Sequence, residues 1–215
     1  MNKVNYQKEL EKLLGCEENY GKRLLLHSCC APCSSYCLRY LREFFRITVF
    51  YYNPNITEKK EYEKREAEEK RLIEIYNKDE ASGFTIDVMD APYDPGRFTI
   101  GAQGLEDEPE GGKRCEMCFR LRLSVCGEYA LRGKYDFFGT TLTISPLKNE
   151  QLINEIGLAL SREIGVSYLV SDFKKKNGYK ESVELSKKYD LYRQNYCGCI
   201  YSRISREREK HEIFS

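Results

Sequence analysis

Four cysteines, Cys29, Cys30, Cys33 and Cys37, fall within nine residues in the stretch RLLLHSCCAPCSSYCLRYL. Cys115 and Cys118 form a Cys-x-x-Cys pair in KRCEMCFRLR, and Cys197 and Cys199 bracket one glycine in NYCGCIYSR. Thiols at this density either hold a soft metal or cycle between dithiol and disulfide. Adjacent strand residues point to opposite faces, so Cys29 and Cys30 can converge only in a loop or at a helix start. Pro32 marks such a start, and the positive end of a helix favours thiolates. Zinc sites space paired cysteines two to four residues apart, whereas neighbouring thiolates can take different irons of a 4Fe-4S cluster. Cys29, Cys30, Cys115 and Cys118 therefore suit a cluster better than a zinc ion, which stays as the alternative. Cys197 and Cys199 read most economically as a redox dithiol, because a disulfide across one residue is strained and labile. The alternative for that pair is two packed core cysteines.

The other four cysteines read as small hydrophobes. Cys33 and Cys37 share one helix face with Tyr40, Leu41 and Phe44, the stripe an amphipathic helix turns to the core. Cys16 and Cys126 are expected to pack in the same way.

The elements that must position these thiols alternate along the chain. Strands are expected at 23–27, 47–52, 84–89, 135–138 and 167–170, each continuously apolar, as strands buried on both faces are. Helices are expected at 2–14, 33–45, 57–80, 116–133, 149–164 and 178–189. This order predicts an α/β fold, a parallel sheet flanked by helices. In such sheets ligands sit beyond the carboxyl ends of the strands, where His27, Ser28, Asn53, Asp90, Gly139, Thr140, Ser171 and Asp172 fall. Residues 91–114 are rich in Gly, Pro and acid without a period, and are expected to form a flexible loop or lid.

Hydrophobic residues make up 41% and charged residues 32% of the 215. A single domain over 1–215 is expected. No apolar run approaches the roughly 20 residues of a membrane span, and the N-terminus lacks signal-peptide features. A cytoplasmic protein with no membrane partner is the expectation, and its reducing surroundings argue against structural disulfides. The net charge of +1 hides a segregation: residues 58–110 carry 8 Lys/Arg against 16 Asp/Glu, and residues 172–210 carry 11 against 6. Solvated helix faces account for such runs most simply, although the basic end, which carries Tyr179, Tyr189, Tyr192, Tyr196 and Tyr201, is compatible with RNA.

Six stretches together resemble the cobalamin-independent epoxyqueuosine reductases, the QueH family: LLLHSCCAPCSSYCL, FYYNPNI, EYEKR, KRCEMCFRLRL, FGTTLTISPLKN and DFKKKNGYKESVELSKKYDLYRQNYCGCIYS. The resemblance implies a fold of the adenine-nucleotide α-hydrolase (HUP-like) type and a 4Fe-4S cluster without cobalamin. It also implies two-electron reduction of the epoxide of epoxyqueuosine at the tRNA wobble position, the last step of queuosine biosynthesis. By resemblance Cys29, Cys30, Cys115 and Cys118 are cluster ligands, and Cys197 and Cys199 are a redox-active disulfide reset by an external electron donor. The implied partners are tRNAs reading Asp, Asn, His and Tyr codons. A phosphate-cradling glycine loop is replaced by His27-Ser28-Cys29-Cys30, which argues against ATP chemistry. Proton delivery falls to His27, Asp90 or Asp172, each with an alternative as a capping or core residue. A further iron ion, or a carboxylate ligand such as Asp90 or Asp172, is left open. Lys174, Lys175, Lys176 and Lys180, with Arg114, Arg120 and Arg122, are candidate phosphate contacts. The rival functions are a zinc-stabilised RNA-binding module and a thiol oxidoreductase acting through Cys-Gly-Cys.

Overall fold

The computed structural model describes residues 3–79 and 82–213. Five parallel strands form one sheet: β1 (Arg23–His27), β2 (Arg46–Phe50), β3 (Asp87–Met89), β4 (Phe137–Thr140) and β5 (Ser167–Tyr168), in the order β3-β2-β1-β4-β5. Helices α1 (Tyr6–Leu14), α2 (Ala31–Leu41), α3 (Lys59–Asn77), α4 (Pro95–Gly101), α5 (Lys113–Arg132), α6 (Glu150–Ile164), α7 (Gly178–Lys188) and α8 (Ile200–Ile213) surround it.

Both sheet faces are buried, and the two-residue period of a strand divides them. Leu24, Leu26, Ile47 and Val49 pack with Leu38 and Leu41 of α2, Leu72 and Ile73 of α3 and Leu185 of α7. Leu25, Phe50 and Phe138 face the other way, onto Leu123 and Cys126 of α5 and Ile153 and Leu160 of α6. Burying a side chain of this size contributes about 1.5–3 kcal/mol, so the continuous apolar runs are what fix the central strands.

The strand order also fixes where a site can form. From β1 the chain builds outward to β2 and β3 on one side, then returns to place β4 and β5 on the other. Beyond the carboxyl ends of β1 and β4 the flanking connections diverge and leave a crevice. His27 and Thr140 are register partners at that point.

Several expectations need correction. β3 begins at Asp87 rather than at 84, because the Asn77 side chain takes both backbone groups of Ile86, at 2.9 and 2.8 Å, and Phe84 N donates to Arg42 O. β5 stops at Tyr168 because Ser171 N turns away to Asn154 Oδ1. Residues 91–114 contain α4, which seats Phe98 in a small core with Cys118 and Cys199. α8 was not expected at all: its charged sequence lacks a clear apolar stripe. Cys16 is exposed rather than packed, whereas Cys37 and Cys126 are buried as expected.

Candidate active site

The β1 end is built as a rigid platform. His27, fully buried, hydrogen-bonds Thr140 Oγ1 at 2.8 Å and Tyr52 O at 3.0 Å, joining three connections. Burial, and then the Arg122 guanidinium beside it, push its pKa down to about 3, so the ring stays neutral. Asn53 Nδ2 donates to Ser28 O at 2.9 Å, while Asn53 Oδ1 accepts from Arg122 at 2.5 Å. Arg122 also reaches Cys118 Sγ at 3.9 Å and so ties α5 to the strand ends.

On this platform Cys29, Cys30 and Cys33 gather their sulfurs within 4.8 Å of one another. Cys30 is the N-cap of α2, with Pro32 in the first turn, which places the helix's positive end at the thiols. Thr141 contributes twice: its Oγ1 accepts from Cys29 N at 3.3 Å and lies 3.6 Å from Cys29 Sγ. The thiols of Cys30 and Cys33, followed by Lys148 and Arg122, hold Cys29 well below the ordinary thiol range. The Cys29 thiolate pushes Cys33 up and Cys30 to about 12.

The four remaining predicted thiols belong to α5 and the segment before α8. Gly111 N donates to Cys115 Sγ at 3.2 Å. Burial raises Cys115 and takes Cys118 to about 11. Cys197 and Cys199 are free thiols with sulfurs 3.5 Å apart. The hydrogen bond between the two sulfurs holds Cys197 low and Cys199 high. Gly198 makes the turn possible: its φ is +110°, and a Cβ there would lie 2.6 Å from Ile56. Asn55 Nδ2 at 3.2 Å and Arg65 Nη1 at 3.3 Å both donate to Cys197 O.

A cavity of about 320 Å³ lies among these groups, lined by Cys29, Cys30, Cys33 and Cys197. A smaller one adjoins it, lined by Cys115, Cys118, Cys197 and Cys199. Arg122, Lys148 and Cys197 border both. The six singled-out thiols thus surround one continuous region, with Cys33 as a seventh. The donor set fits a thiolate-held cluster: three sulfurs converge on one side, and four more face the same region. The thiols of Cys115 and Cys118 do not fall within the 4.8 Å group.

Several predicted residues lie elsewhere. The Asp90 side chain is almost wholly exposed, 4.0 Å from Lys70. Asp172 is buried, with Oδ1 3.8 Å from Lys174, and does not line the cavities; burial raises its pKa. Of the basic residues, Arg122 and Arg114 are buried and cannot meet phosphate at the surface. Arg114 donates to the carbonyls of Leu105 and Glu106 and stacks over Tyr201. Lys174 pairs with Glu150 at 2.7 Å, Lys176 with Glu11 at 2.5 Å, and Arg120 lies 3.7 Å from Glu163. Lys175 and Lys180 are exposed, with Lys180 4.0 Å from Glu184. Tyr179, Arg193 and Tyr196 line the large cavity.

Sequence reasoning missed Cys33, Thr141, Lys148, Asn55 and Arg65. The helical stripe that placed Cys33 in the core is real, since Cys33 borders that cluster, but it stands in the first turn, where its sulfur also reaches Cys29. A third cysteine three residues after a Cys-Cys pair at a helix start was the available signal.

The family model for Epoxyqueuosine reductase QueH matches residues 24–205. Proteins named Epoxyqueuosine reductase QueH from Staphylococcus epidermidis and Streptococcus pyogenes are each 42% identical, over 94% and 93% of this chain and 86% and 78% of their own lengths. One from Thermotoga maritima is 36% identical over 89% of this chain and 95% of its own length. The matched segment runs from β1 through all three thiol groups into α8, and the chain belongs to the epoxyqueuosine reductase QueH family.

Proposed function

We propose that this protein is an oxidoreductase that reduces the epoxide of epoxyqueuosine in tRNA to give queuosine. The observation that carries this reading is the convergence of the three thiol groups around two adjoining cavities in a chain of this family. Cys29 and Cys30, with Cys115 and Cys118, would hold a 4Fe-4S cluster, and Cys33 is a further thiol within its reach. When bound, the cluster would supply one-electron transfer steps.

The chain's own residues supply the rest. Removing the oxygen as water takes two electrons and two protons, which the Cys197/Cys199 dithiol carries, ending as a disulfide that an external donor reduces. Cys197, the thiol held low, is the reactive partner, and Cys199, held high, keeps its proton until the disulfide closes. His27 is a strut rather than a proton donor, since it is neutral and fully bonded. Tyr179 and Tyr196 at the cavity wall suit the stacking of an unpaired loop base. Lys175 and Lys180 beside Tyr179 are the remaining exposed phosphate candidates. None of the helices in the described residues is long and apolar enough to cross a membrane.

The test is iron, zinc and acid-labile sulfide per chain after oxygen-free purification, followed by conversion of epoxyqueuosine tRNA under single-turnover conditions. Iron and sulfide near four each with formation of queuosine supports the reading. Stoichiometric zinc, no sulfide and no conversion overturns it.

A further inference from the structure

Lys148 stands at the junction of the two thiol-lined cavities and borders both. Its backbone is fixed: Lys148 N donates to Ser145 O at 3.1 Å, Lys148 O accepts from Lys174 Nζ at 3.3 Å, and the next residue, Asn149, caps α6. The side chain has no such commitment. Among the described residues no carboxylate oxygen lies within 4.0 Å of its ammonium. Glu110, which also borders both cavities, is 4.0 Å from Arg206. Arg122, the other cation common to both cavities, is already engaged with Asn53 and Cys118.

A lysine that borders both thiol-lined cavities, with no carboxylate within 4.0 Å of its ammonium, is placed for negative charge that arises in the cavity. An ammonium offers three donors and accepts nothing, so it can follow an oxygen through a change of charge. In the reductase reaction the group that gains negative charge is the epoxide oxygen, as the first carbon-oxygen bond breaks and the oxygen keeps the electron pair. We propose that Lys148 is a catalytic residue that donates a hydrogen bond to this oxygen and balances its charge. This rests on the reductase reading above. In balance, the epoxide and the two thiols of Cys197 and Cys199 become an alkene, water and the disulfide. Both carbon-oxygen bonds break, the substrate gains two electrons, and the two thiol protons leave in the water. Lys148 ends the turnover as an ammonium, as it began. Preorganised donors of this kind are worth roughly 10²–10³ in rate.

The experiment compares the wild-type chain with Lys148→Met and Lys148→Arg. Four quantities are read: iron and sulfide content, affinity for epoxyqueuosine tRNA, single-turnover rate at saturating tRNA, and reaction of the cofactor-free chain with iodoacetamide. Lys148→Met is expected to keep its iron and bind tRNA within about threefold, while the rate falls by about 10²-fold or more; Lys148→Arg recovers part of it. Loss confined to tRNA affinity would make Lys148 a phosphate contact and overturn the catalytic role. Loss of iron in step with rate, or altered Cys29 alkylation with an unchanged rate, would make it a partner of the thiols and also overturn it. A Lys148→Met rate within threefold of a working wild type removes Lys148 alone. A wild type that never converts the substrate removes the reductase reading, and the role of Lys148 with it.

Discussion

The two ends of the cavity hold their thiols in different ways. At the β1 end the restraints act on the sulfurs and their strand: Thr141 reaches Cys29 Sγ, α2 begins at Cys30, and His27 and Asn53 tie the platform across β1, β2 and β4. At the Cys-Gly-Cys turn most restraints act on the backbone, through Asn55 and Arg65 on the Cys197 carbonyl and Ser202 Oγ on Cys197 N, with Ser202 N also donating to Cys199 Sγ at 3.4 Å. The first arrangement holds sulfurs at fixed positions for a bound group. The second fixes the turn while allowing the sulfurs to change partners, as a redox dithiol must.

The sharpest way to break this comparison is to remove one sulfur from each end. Cys197→Ser should abolish turnover and leave iron and sulfide unchanged, whereas Cys30→Ser should lose the cluster and turnover together. Loss of iron in Cys197→Ser would show that the two ends share one task. Cys33→Ser sharpens the same point: iron content should fall, while a purely packed Cys33 would leave it intact.

Next in size is Gly198→Ala. A side chain at φ +110° meets Ile56 Cγ1 at 2.6 Å and Arg65 Nη1 at 3.1 Å, so the turn must shift. A strained residue of this kind costs of order 1–3 kcal/mol, and turnover should fall at least tenfold, with the cluster's visible absorbance retained.

A smaller effect comes from the carbonyl clamp. Asn55→Ala removes one donor to Cys197 O, a bond worth about 1 kcal/mol. The Cys197 alkylation rate should change severalfold, while Cys29 alkylation stays as it was.

Beneath the β1 platform, Glu69 of α3 titrates against burial, which raises its pKa to about 8 even though the Ser34 and Ser28 hydroxyls pull the other way. Its carboxyl oxygens make no hydrogen bond of normal geometry. Between the ordinary Glu value of about 4.3 and about 8 the folded chain holds a proton that the unfolded chain has lost. Stability therefore falls as pH rises through this window, and levels off above it. Glu69→Gln should gain denaturant midpoint over wild type progressively from pH 5 to 8. A constant difference would mean that Glu69 is ionised in the fold.

The smallest expected effect is at the surface. Lys180→Ala breaks only an exposed pair with Glu184 and should change stability by under about 0.5 kcal/mol. It should lower the salt dependence of tRNA binding by about one ion.

The central elements were legible because burial on both faces demands continuous apolar runs; Arg23–His27 and the body of each long helix lie where periodicity puts them. The strand ends were less legible, since Asn77 and Asn154 side chains compete with the ladder at Ile86 and Ser171. Charge counts misplaced the basic candidates for a similar reason: Arg114 and Arg122 read as surface cations, yet Arg114 is buried over Tyr201 and Arg122 against Asn53, partners distant in sequence.

By itself the sequence determined that three groups of thiols exist, that two follow helix-start signals and that a parallel sheet carries them, because these depend on residue type and local spacing. The tertiary structure decided which thiols meet. The crevice between β1 and β4 arises from the sheet order, and the placement of Cys33, Lys148, Asn55 and Arg65 around it depends on contacts across more than a hundred residues, which local spacing does not encode.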